Sequence, residues 1–212
     1  RDNALYFVAN DGINGSALWT SDGTADGTKM VAALLGGESG GLANITDLVN
    51  VDGTLFLFAN GSLWKSDGTE SGTVLLHTFW DCDVDLIEEV CMGMGMGGGQ
   101  ELTDVNGTLF FVGYDATHGK ELWKSDGSVS GTGMVKEIYS SSSDWNDRGP
   151  IGLANVNGTL YFRADTDAYG PEIWTSDGTA AGTKLLKDIV PGTEGSGYSA
   201  PGFFDLDGTI LF

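Results

Sequence analysis

Four aspartates stand in short polar segments where a hard cation could be held. They are Asp11 in ANDGING (9–15), Asp115 in YDATHG (114–119), and Asp165 and Asp167 in ADTDAYG (164–170). Calcium takes six to eight oxygens from carboxylates, carbonyls and water, and a segment such as Asp165-Thr-Asp167 offers both of the first two kinds. None of the segments has the twelve-residue EF-hand spacing. The expectation is calcium as a cofactor held by loop carboxylates; the alternative is a set of solvated acidic turns.

Other constellations are weaker. His77 and His118 are the only histidines. They fall at unrelated phases of the repeat described below, so neither a His-rich zinc site nor a Ser-His-Asp arrangement can be assembled from them. Holding a substrate carboxylate in the manner of sialidases takes several arginines, and the chain has only Arg1, Arg148 and Arg163. Paired carboxylates suited to glycoside hydrolysis must exist among 30 acidic residues, but their abundance makes the signal nonspecific. MGMGMGGG (92–99) lacks the lysine of a phosphate-binding loop and reads as slack loop. Cys82 and Cys91 flank an acidic segment and are expected to close a local disulfide in an oxidising compartment.

Charge narrows the partners. Thirty acidic residues against ten basic ones give a formal charge of −20, which repels nucleic-acid phosphates and anionic lipid surfaces. The expected partner is a protein or a glycan, with no nucleic acid and no membrane insertion. No apolar run approaches the ~18 residues of a membrane span, and RDNALYF (1–7) reads as strand rather than as a signal peptide.

The elements that must position these residues come from a repeat. Residues 4, 53, 107, 158 and 208 mark a recurring x-G-T-L-x-F phrase, with spacings of 49, 54, 51 and 50. A second phrase keeps step with it: ALWTSDGTADGT (17–28), SLWKSDGTESGT (62–73), ELWKSDGSVSGT (121–132) and EIWTSDGTAAGT (172–183). The units run approximately 1–50, 51–104, 105–155 and 156–205, and 206–212 starts a further unit or closes the first.

Each unit predicts four strands, for example A (153–156), B (159–164), C (172–176) and D (183–189). Asn-Gly or Asp-Gly between A and B predicts a two-residue type I′ turn. Between C and D the Asp caps the following amides, and the second Gly of D-G-T-x-x-G-T is expected to take the left-handed region. B strands such as LFLFA and LFFVG are apolar almost throughout, so both of their faces must be covered. Stacked four-stranded blades do this, and the period of about 50 fits a blade. The fold expected is an all-β propeller within a single repeat domain, closed with four blades or part of a larger ring. Trp19, Trp64, Trp123 and Trp174, once per unit on strand C, read as inter-blade packing residues. Asp22, Asp67, Asp126 and Asp177 read as turn caps.

Residues 157–162 (NGTLYF), 170–183 (GPEIWTSDGTAAGT) and 187–192 (KDIVPG) resemble the family of secreted proteins with tandem ELWxxDGTxxGT repeats. The fourth unit is closest. The second lacks an acidic residue before Trp64, and the third has Ser128 where the pattern has Thr. The resemblance implies a propeller-like repeat in an extracellular, secreted or surface-displayed protein, and implies no catalytic residue. Combined with the side-chain inventory, it leads to the expectation of a non-enzymatic structural or adhesion module presenting loops to a protein or glycan partner. The alternative is a carbohydrate-active enzyme or lectin with its site at the propeller axis.

Overall fold

The computed structural model describes residues 4–13, 16–34, 45–59, 61–79, 100–115, 117–139, 149–197, 203–206 and 209–211. Cys82, Cys91 and the 92–99 loop lie outside the described residues. The chain divides into two compact units, residues 1–99 and 100–212.

In the first unit β1 (Leu5–Asn10), β2 (Ser16–Ser21) and β3 (Lys29–Ala33) form one antiparallel sheet in chain order. A second sheet follows, made of β4 (Ile45–Val51), β5 (Thr54–Ala59), β6 (Ser62–Ser66) and β7 (Val74–Thr78). The second unit repeats the plan with β8 (Gln100–Val105), β9 (Thr108–Asp115), β10 (Gly119–Ser125) and β11 (Gly133–Lys136), then β12 (Ile151–Val156), β13 (Thr159–Ala164), β14 (Glu172–Ser176) and β15 (Lys184–Lys187). A two-stranded hairpin of β16 (Phe204–Leu206) and β17 (Thr209–Leu211) follows. The protein is therefore all-β, with antiparallel sheets of three or four strands laid out as consecutive meanders.

The A–B turns have the expected geometry. Asp52-Gly53, Asn106-Gly107 and Asn157-Gly158 all carry positive φ at both positions, as a type I′ turn requires. Asn50, Asp104 and Asn155 each accept the amide of the turn glycine, at 3.0, 2.9 and 3.0 Å.

The C–D turns form a hydrogen-bonded cage that differs from expectation in one respect. Asp177 Oδ1 accepts the Thr179 amide (2.8 Å) and hydroxyl (2.7 Å), and Ser176 and Thr183 hydroxyls bond across the base at 2.7 Å. The same bonds recur at Asp22, Asp67 and Asp126, where Ser128 does the work of the usual Thr. The first glycine of each phrase, not the second, takes positive φ: Gly23, Gly68, Gly127 and Gly178. The second is fixed by space, because a Cβ on Gly27, Gly72, Gly131 or Gly182 would overlap the carboxylate of Asp22, Asp67, Asp126 or Asp177. Gly182→Ala should therefore expel the Asp177 carboxylate and destabilise the chain by about 1–3 kcal/mol, as overpacking does; urea denaturation checks this.

Strand D is shorter than expected, since Asp188–Val190 leave the ladder for a reason given below. A bulge opens the C–D pairing at the same place in all four sheets, just before Trp19, Trp64, Trp123 and Trp174. The inserted residues Val31, Leu76 and Val135 are buried, and Leu186 is 46% exposed.

Each compact unit has its own core. Leu18, Val31, Ala32 and Leu34 join Leu57 and Ala59 in the first, with Tyr6 and Trp64 packed against them. Val105, Phe110, Leu122 and Val135 join Leu160, Phe162, Ala164 and Trp174 in the second. Each core thus draws on two successive repeats. β5 is buried from Leu55 to Ala59, and β9 and β13 carry fully buried Phe111 and Phe162. β1 is the exception, with Leu5 64% and Val8 38% exposed, because it is the edge of a three-stranded sheet rather than an inner strand.

Candidate functional site

The end of the fourth sheet where β13 stops and β14 starts is the most elaborated loop surface among the described residues. Residues 165–171 connect these strands and fold on themselves. The Thr166 and Gly170 amides donate to each other's carbonyls (3.3 and 2.8 Å), and the Tyr169 amide donates to Thr166 Oγ1 (3.2 Å). Tyr169 is left 40% exposed, with Asp167 exposed beside it in the chain and Asp165 half-buried.

The segment after β15 closes on this loop. Ser196 donates its amide (2.8 Å) and its hydroxyl (3.2 Å) to the Pro171 carbonyl. Gly170, at φ 64°, lies so close to the Thr193 carbonyl that a side chain there would collide with it, and Gly195, at φ 63°, lies equally close to Pro171. Arg163, the last but one residue of β13, is 6% exposed. Burial pulls its guanidinium below the ordinary value, and the charge of Asp165 partly offsets this. The result is a clasped rim that presents one aromatic residue and the Asp167 carboxylate, with Asp165 half-buried and Arg163 buried beneath it.

Behind the rim sits a second device. Glu172 is fully buried, and its Oε1 accepts the amides of Ile189 (3.1 Å) and Val190 (3.0 Å). This clip draws the chain out of β15 after Lys187. In the third repeat Glu121, also fully buried, accepts Ile138 on Oε2 (2.9 Å) and Tyr139 on Oε1 (3.0 Å). Desolvation, with a smaller contribution from nearby Glu137, raises the Glu121 carboxyl to about 8 against the lowering effect of the two amides. A carboxyl raised this far has the pKa of a general acid. Its enclosure and its amide bonds make it a structural clip instead.

Both glutamates were missed as a pair with their cross-strand partners, although the four repeats carried a signal. The positions read Ala17 opposite Ala33, Ser62 opposite Thr78, Glu121 beside Glu137 and Glu172 beside Asp188, so the two change together.

The aspartates expected to hold calcium come from three different repeats. Asp165 and Asp167 share the fourth repeat's loop, whereas Asp11 lies in the first repeat, where its Oδ1 accepts the Ile13 amide at 2.9 Å, and Asp115 ends β9 in the third. Among the described residues no three His, Cys, Asp or Glu side chains gather as metal ligands. Trp123 and Trp174 are 7% exposed. Trp174 lies in the core shared by the third and fourth repeats, with Lys136 Nζ 5.6 Å from its ring centroid. Trp64 packs on the first core, and half-buried Trp19 donates Nε1 to the Ala9 carbonyl at 3.1 Å. The Thr24 and Thr179 bonds hold the Asp22 and Asp177 carboxyls below their usual range. His77 packs edge-on against Phe79, with centroids 4.4 Å apart.

No family model and no curated protein matches the chain. Among solved structures, puromycin hydrolase matches 90% of this chain with 27% of its own, at a TM-score of 0.52 and 15% identity. An α-L-arabinofuranosidase from Clostridium thermocellum matches 99% of this chain and 78% of its own at TM-score 0.36 and 13% identity. An endo-1,4-β-xylanase from Bacteroides thetaiotaomicron matches 83% and 66% at TM-score 0.35 and 17% identity. The last two scores are too low to carry an argument, and the first shows likeness of fold. This chain spans about a quarter of the length of puromycin hydrolase, 27%.

The likeness of fold to a chain named as a hydrolase stands against the expectation of a non-enzymatic structural or adhesion module. The exclusion of an enzyme rested on the side chains of the repeats. A fold of this kind is compatible with catalysis carried by grafted loops or by other parts of a longer chain, which such an inventory does not register.

Proposed function

We propose that this chain is the propeller-like part of a carbohydrate-active enzyme or lectin, with successive repeats as blades of a longer extracellular protein of the ELWxxDGTxxGT type. It engages glycan at the end of the sheet formed by residues 163–171 and 193–197. The observation that carries this reading is the loop itself: an exposed Tyr169 shares a short connection with Asp165 and Asp167, and that connection is clasped by the segment after β15. An aromatic face takes the apolar side of a sugar ring, while carboxylates accept from its hydroxyls. The charge of −20 selects uncharged glycans over polyanionic ones.

The fold likeness to puromycin hydrolase supports the enzyme version, in which this chain orients substrate and the chemistry belongs to residues beyond the matched quarter. Calcium at Asp11, Asp115, Asp165 or Asp167 belongs to the same reading as a stiffener of the loops. The test is a panel of neutral oligosaccharides offered to the intact chain with and without a chelator, scored for binding and for released products. Binding by the wild type is expected, and Tyr169→Ala should weaken it about 3- to 10-fold. A folded chain that retains and cleaves nothing on the panel refutes the proposal.

A further inference from the structure

The geometry points to a cation site apart from the loop aspartates: Glu172 Oε2 and Asp188 Oδ1 together hold a divalent, calcium-type cation at the end of the fourth sheet. Both oxygens are buried, and among the described residues neither has a hydrogen-bonding partner. Glu172 is 0% exposed, and its other oxygen is committed to the Ile189 and Val190 amides. That clip holds the glutamate against the segment that follows Asp188 and leaves Oε2 uncommitted.

The register brings the two acids near one another: Ile173 pairs with Lys187, and Glu172 and Asp188 are the residues next to that pair. Two like charges opposite one another across strands are destabilising, and a buried carboxylate oxygen without a partner is costly. A hard cation removes both penalties at once, with water and carbonyls completing its shell. The third repeat is the internal contrast. Glu137 takes the place of Asp188 there, but both oxygens of Glu121 are already bonded to amides, so no free oxygen is left on the buried acid.

The test uses the intact, chelator-treated chain at neutral pH, titrated with calcium and separately with magnesium by calorimetry and thermal melting. Saturable calcium binding is expected at a Kd of roughly 0.1–1 mM, the range of extracellular modules. Calcium at ~10 mM should then raise the melting midpoint by a few degrees. Asp188→Asn and Glu172→Gln should each weaken binding at least ~10-fold, and Glu137→Gln should leave it unchanged. Glu172→Gln keeps an oxygen for the two amides, and Asp188→Asn provides an independent readout should that variant not fold. Absence of any calcium response in the wild type overturns the proposal. So does an undiminished response in both site variants, which would move the ion to other carboxylates.

Discussion

Replacing Trp174 with alanine should lower stability by about 3–5 kcal/mol, the range for truncating a buried aromatic residue. Its ring lies in the core that joins the third repeat to the fourth, among Phe110, Val135, Leu160 and Phe162. Lys136 ties the same place together, since its ammonium stands over the Trp174 ring and donates to the Thr183 carbonyl at 2.7 Å. Other bonds cross the same boundary: Lys124 Nζ to the Gly178 carbonyl (2.8 Å), Asn106 Nδ2 to the Gly158 carbonyl (3.0 Å), and the Leu153 amide to Glu101 Oε2 (2.7 Å). Arrays of this kind draw their stability from such neighbour interfaces. The loss should therefore appear as uncoupling of two repeats as well as a lower midpoint. Trp19→Ala, at a half-buried ring, should cost less. Urea unfolding followed by circular dichroism separates the two variants, and equal small effects contradict this ranking.

The second large effect is a pH dependence with the opposite sign to that of most acidic proteins. The Glu121 carboxyl rises from 4.5 to about 8 on folding, chiefly because burial removes water from it. The folded state thus holds this proton more tightly than the unfolded chain does. Below about pH 4.5 both states are protonated and the full contribution is present. From there to about pH 8 the unfolded chain ionises first, and stability falls by up to ~1.4 kcal/mol per pH unit, on the order of a few kcal/mol in all. The charges facing the group are Glu137, which pushes its pKa up, and His118, which pulls it down.

Repulsion within a chain of charge −20 slopes the same way. The difference between wild type and Glu121→Gln isolates the clip: the variant should lose most of the decline between pH 5 and pH 8. A wild-type midpoint that rises across that window contradicts the assignment. The lowered carboxyls of Asp22 and Asp177 act in the other direction and only in more acidic solution, as pH falls through their folded values, so they do not confuse the measurement.

The meander of each repeat could be read from residue types because its signals are local. Asn157-Gly158 can only be comfortable in a turn with two positive φ angles, and Asp177 followed by Gly and Thr caps its own amides. What could not be read locally depends on atoms distant in sequence. Gly182 looks like a conformational glycine until the Asp177 carboxylate is seen where its side chain would lie. Glu172 looks like a solvated acid before a Trp until the Ile189 and Val190 amides, seventeen and eighteen residues on, are found at its oxygen. Leu5 has the same apolar neighbours as Leu160, yet one is 64% and the other 0% exposed, because only the second belongs to an inner strand. The rim around Tyr169 was visible in part, as an acidic loop with an aromatic residue. The clasp that fixes it, Ser196 on Pro171, comes from a segment with no distinctive motif.

The most direct measurement is an amide-resolved NMR titration of the chain with the tightest-binding neutral oligosaccharide. The account predicts that the largest changes fall on the amides of Thr166, Tyr169, Gly170 and Gly195–Gly197, while those of the Asp177–Thr183 turn at the opposite end of the sheet stay still. Changes centred on that turn, or an unchanged spectrum at saturating sugar, would contradict it.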